Sequence, residues 1–108
     1  MARIDLHRLG EERSIAMHRV IAERLELDPS ILVAARVRVN DWLRTGSVHR
    51  TYADAWRVIL EDTPERIAAR LVDRGEEANA LRQVSPFAGV LDARTRWKIH
   101  RDTGRALR

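Results

Sequence analysis

Asp28-Pro29-Ser30-Ile31-Leu32-Val33-Ala34-Ala35-Arg36-Val37-Arg38-Val39-Asn40-Asp41-Trp42-Leu43-Arg44-Thr45-Gly46 carries every signal of an α-helix in one stretch. Asp28 offers a side-chain acceptor at the N-cap, and Pro29 takes the first helical position, where its missing N–H leaves nothing unsatisfied. Leu32, Ala35, Val39, Trp42 and Leu43 then recur at helical spacing, and Gly46 ends the run. A helix from Pro29 to about Arg44 is expected. Ile31, Val33 and Val37 make its other faces apolar too, which puts it at the centre of a bundle or at an interface.

The same chemistry extends in both directions. Upstream, the segment from about Glu11 to Leu27 sets Met17, Val20, Ile21 and Leu25 on one stripe. That helix can begin as early as Asp5 despite Gly10, within an N-terminal arm bearing Ile4, Leu6 and Leu9. Downstream, a helix near Thr51 to Glu61 packs Tyr52, Trp56, Ile59 and Leu60. Thr63-Pro64-Glu65 repeats the cap and proline and adds an acid that suits the positive end of a helix dipole. This fourth helix reaches Arg74 with Ile67, Leu71 and Val72 inward, and Gly75 ends it. Glu76 to Gln83 makes a short fifth helix around Ala78 and Leu81. Ser85-Pro86 opens about one turn, Phe87 to Gly89, before Asp92 caps a last helix carrying Trp97 and Ile99. Nothing past Gly104 predicts order. Alternation of apolar and polar residues never persists, so the expectation is an all-α fold, a small bundle of about five to six short helices. Residues 1–91 form its body with the arm, and 92–108 its basic C-terminal helix and tail.

A chain of 108 residues supports one domain, burying roughly two-thirds of the surface its unfolded form exposes. There is no cysteine, which excludes disulfides, thiolate nucleophiles and cysteine-ligated zinc. The longest apolar run, Ile31 to Ala35, is far short of a membrane span, and the N-terminus lacks the apolar core of a secretion signal. A cytoplasmic protein without membrane contact is expected.

His7, His18, His49 and His100 show no ligand spacing such as H-E-x-x-H and read as scattered surface residues. Glu61, Asp62 and Glu65, like Asp73, Glu76 and Glu77, cluster at helix ends, where acids cap or present an acidic patch to a partner. No glycine-rich phosphate loop exists. The chain is expected to have no catalytic centre, no metal and no cofactor, and to work by binding another macromolecule.

The net charge of +4 is confined to one end. Residues 92–108 hold Arg94, Arg96, Lys98, Arg101, Arg105 and Arg108 against Asp92 and Asp102, a surplus equal to the whole net charge. A basic helix of this kind neutralises phosphates, so a small nucleic-acid-binding regulator is the alternative function. No helix-turn-helix signature accompanies it. Trp97 stands among these cations with two accounts open: an interface hot spot, or a cap over the bundle covered by Phe87 and Leu91.

Ala80-Leu81-Arg82-Gln83-Val84-Ser85-Pro86-Phe87-Ala88-Gly89-Val90-Leu91, followed by Arg94, Arg96-Trp97 and Ile99, resembles the C-terminal signature of a group of small bacterial antitoxin-like proteins. Arg13-Ser14-Ile15-Ala16-Met17-His18 resembles the start of that group's first helix, and Trp56-Arg57 falls where it has a tryptophan in its middle helix. The resemblance spans about residues 11–101, with only the later stretch specific, and length and organisation are similar to MenA-type antitoxins. It implies neutralisation of a nucleotidyltransferase-like toxin, which adds nucleotides to tRNA 3′ ends, by direct binding at its active site or substrate groove. Many members carry an Xre-type DNA-reading domain in front; this chain begins almost at the shared region, so operator binding is in doubt. The implied partner-binding residues are Leu81, Arg82, Gln83, Ser85, Pro86, Phe87, Val90, Leu91, Arg94, Arg96 and Trp97. Glu61, Asp62 and Glu65 join them as carboxylates suited to a basic tRNA groove. Ser85-Pro86, Phe87 and Leu91 also read as a packed corner, with Gly89 supplying a conformation other residues resist. Ile31, Val33, Val37 and Val39 exceed what one small bundle covers, and a homodimer is expected from them.

Overall fold

The computed structural model describes residues 5–107, so Ile4 of the arm and Arg108 of the tail lie outside the described residues. Among these the chain forms α1 (Leu6–Leu25), α2 (Pro29–Thr45), α3 (Arg50–Ile59), α4 (Pro64–Leu71), α5 (Glu76–Arg82) and α6 (Ala93–Ala106), with no strand. The fold is a small all-α bundle. No helix among the described residues is long and apolar enough to cross a membrane.

Helix starts follow local chemistry. Asp5 accepts hydrogen bonds from the backbone N–H groups of His7 and Arg8, so α1 takes its early start and runs straight through Gly10. Asp28, Thr63 and Asp92 cap α2, α4 and α6 through Ser30, Arg66 and Thr95. At α3 the cap is His49, whose Nδ1 accepts from the Thr51 N–H at 3.2 Å. Gly46 closes α2 in the left-handed region at φ 71°.

The packing corrects which helix is central. α1 packs against α2, α4, α5 and α6, whereas α2 packs on α3 and α1. The inward stripe of α1 is Leu9, Ile15, His18, Ile21, Ala22 and Leu25, with Met17 and Val20 only partly buried. α2 buries Ile31, Leu32, Ala35 and Val39 but leaves Val33 and Val37 57% and 56% exposed, so its surplus apolar surface shrinks to those two valines. On α3 the buried positions are Ala53, Trp56 and Ile59. Tyr52, expected inside, falls on the flank of that stripe and meets His49 edge-on instead.

α6 runs antiparallel to α1. Its first residues lie near Arg24, whose charge acts on the Asp92 carboxyl, and its far end lies at Arg13. There the Arg13 Nε donates to the His100 carbonyl at 3.0 Å, and the guanidinium lies over buried Gly104. The tail expected to lose order at Gly104 therefore stays helical to Ala106. An ion pair from Arg74 to Glu12 binds the α4–α5 link to α1 and lowers the Glu12 pKa.

The core unites Leu25, Ile31, Leu32, Val39, Trp56, Leu60, Ile67, Leu71, Phe87 and Leu91 around α1. Ile67 is fully enclosed there. Truncating it, Ile67→Ala, should cost about 2–5 kcal/mol of unfolding free energy, read as a lower urea midpoint at unchanged slope. A loss under about 0.5 kcal/mol, the size of a surface substitution, would contradict this core assignment.

Candidate functional site

The segment that bears the antitoxin resemblance folds into the end of α5, a turn at residues 86–89 and the start of α6. Phe87 plugs this turn into the core. It is 1% exposed, and its ring meets Trp56 edge-on at 6.0 Å and 74°. Trp56 in turn donates from Nε1 to the Leu81 carbonyl at 3.2 Å. Gly89 adopts φ 88°, a region that costs other residues about 1–2 kcal/mol. From outside, Arg38 on α2 donates to the Ala88 carbonyl at 2.7 Å.

A directed chain of hydrogen bonds ties the turn to α1. His18 Nδ1 lies 2.7 Å from the Ser14 carbonyl, which can only accept, so Nδ1 carries the proton. Nε2 is then an acceptor, and Ser85 Oγ donates to it at 2.8 Å. Ser85 Oγ itself accepts from the Phe87 N–H at 3.2 Å. Every donor in the chain points the same way, an arrangement that reinforces each bond. The surface assignment made for His18 is therefore overturned: it is 5% exposed because position 18 lies on the same stripe as Ile15, Ala22 and Leu25. Burial pushes its pKa below the ordinary imidazole value; the Ser14 contact opposes this, and the charge of Arg82 adds to it.

Arg82 is the second buried polar group, at 4% exposure. Its guanidinium donates to the carbonyls of Leu71 and Asp73, at 3.2 and 2.6 Å, and to the Asn79 side chain. Those bonds hold the α4–α5 link against α5, while Nε stays without a partner. Burial lowers its pKa first of all; the nearby Asp73 acts in the opposite sense.

Five of the expected contact residues are thus structural in the free chain. Leu81, Arg82, Pro86, Phe87 and Leu91 are all buried, because the turn must be anchored from within. Ser85 is half-buried and spent on His18, and Val90 is half-buried. The outward set consists of Gln83, Ala88, Gly89, Arg94, Arg96 and Trp97. Trp97 is 63% exposed, so Phe87 and Leu91 do not cover it; it stacks at 16° on His100, 6.0 Å away.

Two grooves flank the turn. One, of about 480 Å³, runs between the turn and the α1–α2 corner, with Ile31, Ala35, Pro86 and Val90 apolar and Arg24 and Arg38 cationic. The other, of about 220 Å³, is lined by Met17, Ile21, Phe87 and Leu91 with Arg96. Both belong to one neighbourhood.

Glu61, Asp62 and Glu65 sit apart from it at the α3–α4 junction, exposed and lining neither groove. Glu61 pairs with Arg57 at 3.0 Å, and Asp62 lies 3.9 Å from Arg66 and accepts from the Thr63 N–H. Among the described residues no three His, Asp or Glu side chains converge as metal ligands. No family model, no curated protein and no solved structure matches the chain.

The depressed pKa of His18 sets a pH dependence. The unfolded chain takes up the proton before the folded one, so the histidine's contribution is complete above the ordinary value of about 6.5 and declines as pH falls through it. Melting temperature should drop between pH 7.5 and pH 5, a window chosen above the carboxylate range of about 4. His18→Gln should flatten that drop; an identical pH slope in the variant would transfer the effect to another group.

Proposed function

We propose that the protein is an antitoxin: it neutralises a nucleotidyltransferase-like toxin by direct binding, using the turn at residues 85–91 and Trp97 as one docking surface. The observation that carries this is Trp97, the largest exposed apolar side chain among the described residues, one turn into the helix that follows a turn held in shape by Phe87, the Ser85–His18 bond and Arg38. A bundle gains nothing by exposing an indole, whereas an interface does: tryptophan near arginine is the commonest hot-spot composition. Pre-ordering the turn removes an entropic cost of binding. The resemblance of Ala80 to Ile99 to the antitoxin signature supplies the partner class.

Within this proposal the buried residues act as positioners. Phe87, Leu81, Leu91 and Arg82 set the shape; Ala88, Gly89, Val90, Arg94, Arg96 and Trp97 make the contact, with the 480 Å³ groove beside them to receive a partner side chain. Glu61, Asp62 and Glu65 form a separate acidic station for the rim of a basic tRNA groove, where they would steer association more than hold it. Self-association rests on the smaller surface of Val33 and Val37.

Co-expression with a cognate nucleotidyltransferase-like toxin separates the two aromatic roles. Trp97→Ala should melt within a few degrees of wild type yet fail to rescue growth, because its ring supports no core contact. Phe87→Ala should lose about 3–5 kcal/mol of stability, and rescue with it. Rescue by Trp97→Ala at wild-type levels would remove the indole from the interface. Failure to recover any stoichiometric toxin complex with the wild-type chain would sink the antitoxin proposal itself.

A further inference from the structure

The outward face of α6 carries more charge than either the bundle or the helix requires. Arg94, Trp97, Lys98, Arg101 and Arg105 follow one another at three- and four-residue steps, which places all five on one face. Thr95, Ile99 and Thr103, the half-buried positions, lie on the other. All five outward residues are exposed, and the only ion pair on their face among the described residues is Arg101 with Asp102. At 1.5 Å per residue the four cations form a line of about 16 Å with steps of about 4.5–6 Å.

Helix stability does not account for this line. The helix dipole favours cations in the last turn, which explains Arg105, and opposes them in the first, where Arg94 and Arg96 stand with no acid in that turn. Nor is the line part of a generally basic surface, because residues 1–91 are electrically balanced. A regular row of cations matches a polyanion of regular spacing. An exposed indole in the middle of that row matches a polyanion that also presents free aromatic faces. A duplex buries its bases in the stack, and an acidic protein surface does not repeat its charges and rings at regular steps. Single strands offer both, and single-strand binders combine a basic track with aromatic stacking.

We infer that the outer face of α6 binds single-stranded nucleic acid: Arg94, Lys98, Arg101 and Arg105 track the phosphates and Trp97 stacks on a base. The inference goes beyond the antitoxin proposal and does not depend on it. Where both hold, strand and toxin compete for Trp97.

The test is fluorescence anisotropy of the full chain with labelled single-stranded RNA or DNA of about 12 nucleotides, within the site size of such binders, alongside the matching duplex. Four phosphate contacts set the slope of log affinity against log salt at about −2.8, and the double variant Arg101→Gln/Arg105→Gln should halve it to about −1.4. Trp97→Ala should weaken single-strand binding about ten-fold, the stacking of one base. Since these residues point outward, all variants should keep the wild-type helical content and melting temperature. The double variant, remote from the turn, should still neutralise the toxin. No single-strand binding at low salt, a duplex bound as tightly as the strand, or variants that bind like wild type would each overturn the inference. Loss of the toxin pairing would leave it untouched, because the assay contains no toxin.

Discussion

One helix has to satisfy almost everything else. α1 meets α2, α4, α5 and α6, so a single stripe from Leu9 to Leu25 is the surface on which the bundle closes. A chain this small has no second core to compensate for a gap in the first. The last large piece of that core arrives from far along the sequence, when Phe87 enters beside Trp56 and Ser85 reaches His18. The turn is therefore fixed by the same interior that holds the helices. Its geometry and the fold's stability are one property: whatever docks on Ala88 to Val90 docks on the outer side of the core.

This dependence explains what was legible in the sequence. Asp28-Pro29 and Thr63-Pro64 announce their helices because cap and proline act through neighbouring backbone groups alone. Gly89 was legible for the same reason, and it does adopt a positive φ. His49 was not, since histidine is an uncommon N-cap whose nitrogen happens to reach Thr51. His18 was misread on residue type although its position on the Ile15–Ala22–Leu25 stripe contained the answer. No local signal could reveal Arg82, because its acceptors are carbonyls of the α4–α5 link that only folding brings near. The order of α6 beyond Gly104 was equally hidden: Arg13, 87 positions upstream of His100, grips the helix through His100 and Gly104.

The candidate site divides along the same line. The resemblance singled out the signature segment, but a sequence pattern does not distinguish an anchor from a contact. Phe87 and Trp97 are both aromatic and only ten positions apart, yet one is enclosed and the other open. Phe87 lies in the turn that enters the core beside Trp56, whereas Trp97 lies on the face of α6 opposite the half-buried Thr95, Ile99 and Thr103, and both placements depend on tertiary packing. The acids at the α3–α4 junction show the opposite case. Their exposure was readable, but their distance in the fold from the signature turn was not.

The two proposed surfaces would draw on different kinds of binding energy. Around the turn the chemistry is apolar and shape-dependent, and it gains from rigidity because the buried anchors leave few conformations to lose. Along the outer face of α6 it is ionic and tolerant of position, and it falls as salt rises. Trp97 stands where the two meet, one turn into the helix. A protein whose body is electrically balanced and whose surplus of cations lies at residues 92–108 would, under the two proposals, engage either partner without changing shape. Salt or a competing polyanion would weaken the α6 face more than the turn, whose inner anchors Phe87, Ser85 and His18 are enclosed or half-buried.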